Sequence, residues 1–199
     1  MTYRYGHASG FSLVETLVAI TVLLVLIVGP MSVVTRSSSS ASLATEQSIA
    51  YFLAQEGAEL AQKARDDLLL SYVNGDISDP WGQFIDPVGA YDDCIPPYVG
   101  GSDGCGLTIA DDADGSVVVR PCTGTDCRLY RNDGSGDVRA RYVHNPDLTP
   151  TPYTRTITLE PTGTREVKVT SVVSWRTGSI RDSQSVTVET YLFNLYDTP

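Results

Sequence analysis

The sequence predicts an α+β fold: a long N-terminal helix, its first half membrane-spanning, packed on a C-terminal antiparallel β-sheet. Three observations predict it. Residues 11–34 form an apolar run holding one ionisable side chain, Glu15; residues 49–68 repeat apolar side chains at steps of three and four; and the last third of the chain alternates apolar and polar residues between short turns. A length of 199 residues is that of one domain with an appendage.

Composition excludes several classes of function. Lys and Arg number 14 against 24 Asp and Glu, a formal net charge of −10. An acidic surface cannot bind nucleic acid through phosphate neutralisation, so no nucleic-acid partner is expected. The histidines are two, His7 and His144, which argues against a histidine-based triad or a multi-histidine metal site. No nucleophile–base arrangement is found, and the chain is not expected to be an enzyme. His144, beside Asn145-Pro146, reads as an exposed loop residue.

The first element runs FSLVETLVAITVLLVLIVGPMSVV from Phe11 to Val34, and Arg36 ends it. As a helix, these 24 residues reach roughly 36 Å, enough for a hydrocarbon core of about 30 Å. A buried core helix is rarely apolar on every face for so long. A secretory signal would be cleaved beyond the run, near Ser37–Ser42, but the run is longer than a usual signal core. A plain anchor also fits its length. Neither reading accounts for Glu15, since a carboxylate inside a bilayer costs about 2.5–3.5 kcal/mol and is rarely kept there without a partner.

The string Gly10-Phe11-Ser12-Leu13-Val14-Glu15-Thr16-Leu17 resembles the cleavage motif of type IV prepilins and type II secretion pseudopilins. The resemblance implies that residues 1–10 are a leader, removed after Gly10 by a prepilin peptidase, and that Phe11 is N-methylated. It departs from the usual leader in having few positive charges, Arg4 alone with His7. It also implies a partner for Glu15. The freed amine of Phe11 on one subunit would face Glu15 of the next as helices pack into a filament, and a charge poorly solvated in hydrocarbon gains most from a partner held there. Cleavage would leave 13 basic and 24 acidic side chains, formally −11. Arg4 and Arg36 flank the span equally, so the positive-inside rule does not orient it. The family reading does, with the leader cytoplasmic and the headpiece extracytoplasmic.

The helix is expected to continue to Asp67, with Ile49, Leu53, Gly57, Leu60, Ala64 and Leu68 on one face and Glu59 paired with Lys63 four residues on. Gly29-Pro30 predicts a kink, because proline removes a helix hydrogen bond and crowds the preceding turn. In pilins a proline here allows local melting during assembly. Residues 43–67 resemble, less specifically, the minor-pilin branch of the family.

Residues 68–199 are then the headpiece: a disulfide-bearing loop region over 68–127 and an antiparallel sheet over about 128–195. Asn74-Gly75, Asp79-Pro80, Asp86-Pro87 and Pro96-Pro97 mark the loops. Cys94, Cys105, Cys122 and Cys127 should be oxidised outside the cytoplasm. Four cysteines allow three connectivities and the sequence alone does not choose. The pairing Cys94–Cys105 with Cys122–Cys127 is favoured, because both enclose short glycine-containing loops. The sheet is expected as a meander of 154–160, 165–175 and 184–194, with a further hairpin of 127–132 and 138–143 around Asp133-Gly134.

Asp111–Gly115 and Asn132–Asp137 place acidic side chains beside glycine, which raises calcium, an ion some pseudopilins bind in this half of the fold. Neither fits the twelve-residue calcium loop, so both read as turns and no cofactor is expected. Arg120, Arg128, Arg131, Arg139 and Arg141 cluster, but Asp126, Asp133 and Asp137 are interleaved among them. The expected function is that of a filament subunit, a minor pilin or pseudopilin of a type IV pilus or type II secretion-like filament. Its partners would be other pilin subunits through the N-terminal helix, the peptidase, an inner-membrane assembly platform, and membrane lipid before assembly. The alternative is a single-pass, membrane-anchored extracytoplasmic binding module that never polymerises.

Overall fold

The computed structural model describes residues 10, 12–97, 103–110, 115–123, 127–134, 141–176 and 183–195, without the side chains at 29, 32, 35 and 39. It divides into two compact units, residues 1–45 and residues 46–199. Helix α1, Leu13–Asn74, has 62 residues. It passes Asp67, the expected end, because nothing between Asp67 and Asn74 breaks a helix. The stop is Gly75, whose φ of 85° only glycine adopts without strain. There the Gly75 N–H donates to Tyr72 O (3.0 Å) and the Asp76 N–H to Ser71 O (2.9 Å), the paired bonds that satisfy the last helical carbonyls.

A second helix, α2 (Pro80–Ile85), lies in the stretch read as loop. Asp79-Pro80 is its start signal. Asp79 Oδ1 accepts from the Gly82 N–H at 2.8 Å, and proline occupies the first turn, where its missing N–H has no partner to lose. Trp81 and Phe84 are buried, and Trp81 Nε1 donates to Thr164 O at 2.9 Å.

Seven strands form one antiparallel sheet: β1 Cys105–Ile109, β2 Val117–Pro121, β3 Arg128–Asn132, β4 Arg141–Val143, β5 Thr149–Pro161, β6 Glu166–Trp175 and β7 Gln184–Phe193. The expected meander is β5–β6–β7, with Thr154 opposite Ser174 and Glu166 opposite Phe193. The expected hairpin is β3–β4, Tyr130 opposite Val143. Strands β1 and β2 correct the reading of 68–127 as loop alone. Each is five residues, too short for alternation to register. They extend the sheet through Cys105 opposite Ile157.

The second half of α1 packs on one face of this sheet. Ala50, Leu53 and Ala54 meet Leu129, Tyr153, Val173 and Trp175 in one cluster. Leu60, Ala61 and Ala64 meet Leu107, Ile157, Leu159, Val167, Val169 and Leu192 in a second, which α2 closes with Trp81 and Phe84. The expected stripe is therefore the buried one, with alanine filling most of the positions between. Lys63 takes Asp67 as its partner at 2.7 Å rather than the expected Glu59. Both pairs have the four-residue spacing, but in Lys63–Asp67 the acid lies C-terminal to the base.

Both disulfides match the favoured pairing, Cys94–Cys105 and Cys122–Cys127. The first ties the 3₁₀ turn Asp92–Cys94 to the start of β1. The second joins the end of β2 to the start of β3, and all four cysteines are buried.

Candidate functional site

Two regions carry chemistry beyond packing. The first is the N-terminal part of α1. Gly10 is exposed ahead of the helix, Phe11 lies outside the described residues, and Glu15 sits exposed in the first turn. Among the described residues Glu15 has no ion-pair partner. Its first-turn place brings it about 0.3–1 kcal/mol from the helix dipole, well short of the about 2.5–3.5 kcal/mol that burial in hydrocarbon costs.

Around it, Leu13, Val14, Leu17, Val18, Ile20 and their successors to Val34 are at least half exposed on every face of the helix. The hydroxyls of Thr16 and Thr21 turn back onto their own helix, donating at 2.8 Å to Leu13 O and Val18 O. No water is needed to satisfy those donors, which suits an apolar surrounding. Helix α1 is unbroken through Gly29-Pro30, and Pro30, lacking an N–H, leaves the Leu26 carbonyl without its usual donor. Among the described residues no helix is long and apolar enough to cross a membrane. The 24-residue run to Val34 is a property of the sequence.

The second region is a polar layer between the two apolar clusters. Arg155, on the helix-facing side of β5, is fully buried. Its Nη1 donates to Leu53 O (3.1 Å) and to Glu56 Oε2 (2.8 Å), and its Nη2 donates to Leu107 O (2.9 Å). One guanidinium thus joins α1 to β5 and β1. Burial lowers its pKa and the Glu56 carboxylate opposes that shift. Gly57 makes the close approach possible: a Cβ there would meet Ser171 Oγ, with Arg155 Cδ at 3.0 Å.

His144 belongs to this neighbourhood, which overturns its reading as an exposed loop residue. It is 2 % exposed, and its Nδ1–H donates to Arg128 O at 3.2 Å. The ring lies against Gly106, where a Cβ would come within 2.8 Å of Nε2. Burial, then the charge of Arg155, push its pKa down to about 4, so it is neutral at pH 7.

Sequence reasoning missed Arg155 although a signal existed. It holds the inward parity of β5 between Tyr153 and Ile157, where an arginine demands a buried partner. No group of three or more metal-ligating side chains occurs among the described residues. Positions 111–114 and 135–137 of the two acidic stretches, and Arg139, lie outside them. In the remainder, Asn132 Oδ1 accepts from the Gly134 N–H at 3.0 Å and Gly134 has a φ of 75°, the geometry of a turn.

The class defined by this geometry is an α+β domain whose long helix packs on an antiparallel sheet. Comparison with known proteins finds no matching family model, no matching curated protein and no matching solved structure.

Proposed function

We propose that the chain is a structural subunit, of minor-pilin or pseudopilin kind, of a type IV pilus or type II secretion-like filament. A prepilin peptidase would process it between Gly10 and Phe11, and it would assemble through its apolar N-terminal helix, first in the inner membrane and then in the filament. The observation that carries this reading is Glu15: one acid near the start of a helix otherwise apolar on all faces, five residues after Gly10. An apolar helix surface of that size is stable in lipid or against other helices, not in water. A cut after Gly10 creates the cation that the carboxylate lacks. The α+β headpiece with its long N-terminal helix supports the reading as an architecture that suits it.

Intact-mass spectrometry of protein recovered from its host tests the reading. A mature chain beginning with N-methylated Phe11 is expected. A chain that retains Met1 and remains a monomer in the membrane would overturn it in favour of the anchored binding module.

A further inference from the structure

The two sides of the sheet are finished differently. One ends in β2 and β4, of five and three residues, and β2 closes on Arg120 and Pro121. Short strands, charge and proline are the usual means of stopping a further strand from adding. The other side ends in β7, ten residues long, paired with β6 without a register break and, among the described residues, with nothing else. Strand β7, QSVTVETYLF, contains no proline, lysine or bulge. In antiparallel pairing, every second residue of an edge strand directs its N–H and C=O away from its neighbour. Among the described residues, half of β7 therefore offers an unused ladder.

Two further features specify what would fill it. Across the exposed face Lys168 on β6 lies directly opposite Glu160 on β5 and diagonally from Glu189 on β7, with its Nζ at 3.5 Å from Glu160 and 3.3 Å from Glu189. One lysine is shared by two carboxylates, so a base on a further strand opposite Glu189 would balance the charge there. At the C-terminal end of β7 a cleft of about 310 Å³ opens between Phe193 and Leu195 on one side and Leu69 and Trp81 on the other, with Arg65 at its wall.

We infer that β7 is a strand-addition site for an extended segment of another polypeptide, carrying Lys or Arg opposite Glu189 and a bulky apolar residue four positions away, opposite the exposed Phe193, to cover that ring beside the cleft. A second copy of this chain fits less well. The fullest two-fold pairings of β7 with itself set the two Glu189 side chains directly opposite, about 5 Å apart, or diagonally, about 7–8 Å apart, and like charges there repel. The inference does not rest on the filament reading.

The test uses the full chain in detergent micelles and a fluorescein-labelled peptide, Trp-Val-Thr-Val-Lys-Val-Thr-Val, with a twin in which Glu replaces Lys. Paired antiparallel to β7, this peptide sets its Lys at Glu189 and its Trp at Phe193. The Lys peptide is expected to bind about tenfold more tightly than the Glu peptide, and Glu189→Lys to reverse that order while the circular-dichroism spectrum stays unchanged. A Leu195→Ser variant, at an exposed cleft position, should weaken both peptides severalfold without changing their order. Absence of binding to either peptide, or equal binding to both, would overturn the inference. So would a dimer of the full chain that is tighter in an equal mixture of wild type and Glu189→Lys than in either protein alone, since that would assign the edge to a second copy.

Discussion

The two ends of α1 are both rich in apolar residues, yet they meet opposite fates. Near its N-terminus the helix presents Leu, Val and Ile in all directions and buries none of the described ones. From Ala50 to Ala64 the buried positions are Ala50, Leu53, Ala54, Gly57, Ala58, Leu60, Ala61 and Ala64, mostly small, with Tyr51, Phe52, Glu59 and Lys63 left outside or partly so. Small side chains let a helix approach a sheet closely, and large ones on every face need an apolar medium all round. Apolar content alone therefore does not say where a segment is buried. The width of the apolar surface does, and the size of its side chains says against what.

The contrast can be broken most severely at Glu15. Replacing it with Ala removes the one charge from the apolar stretch, so membrane insertion should persist while recovery in sheared filaments falls at least tenfold, corresponding to the loss of an ion pair of about 1.4 kcal/mol or more. Unchanged recovery by quantitative immunoblot would end the role proposed for this residue. The headpiece should be indifferent, with the same melting temperature in both proteins.

Acid should act on the headpiece through His144. The folded pKa of His144, about 4, lies below its unfolded value of 6.5, so the unfolded chain binds the proton more readily. The stability from keeping this ring neutral is fully present above about pH 6.5 and is lost as pH falls toward 4, on the order of 3 kcal/mol. Urea unfolding at pH 7, 5.5 and 4 measures it. The His144→Phe variant should start lower, having lost the bond to Arg128 O, and show a shallower slope; an unaltered slope would acquit the histidine.

Next in size is Glu56→Ala. It leaves the Arg155 guanidinium buried with carbonyl oxygens alone. A fully buried pair broken in this way costs about 3–5 kcal/mol; because the Glu56 side chain is 40 % exposed, a loss of about 2 kcal/mol is expected by chemical denaturation. Glu56→Gln, which can still accept the bond, should lose less than half as much. The smallest effect belongs to Lys63→Ala, whose pair with Asp67 is partly exposed at both ends, so the free energy of unfolding should fall by no more than a few tenths of a kcal/mol.

Much of this headpiece is legible from residue order. The alternation in β6 places Val167, Val169, Val173 and Trp175 in the core, the stripe on α1 names its buried face, and two short loops name the disulfides. The misreadings share a cause. His144 follows β4, a strand of three residues, and next to Asn145-Pro146 it has the local character of a loop. Its burial comes from Gly106, 38 positions earlier, leaving room for the ring. Strands β1 and β2 are too short to show a period, and α2 was hidden because Asp79-Pro80 opens a helix as readily as it makes a turn.

Residue order settles those properties that depend on near neighbours: a helix continues until a glycine can take a positive φ, an apolar surface is as wide as its repeat allows, and a strand shows its inner face by parity. Contacts between distant positions are of another kind. That Arg155 finds Glu56 and Leu107, that Gly57 clears space for Ser171, and that β7, among the described residues, pairs with β6 alone all depend on which strand lies beside which. Strand order is a matter of long-range pairing, and local chemistry constrains it only weakly.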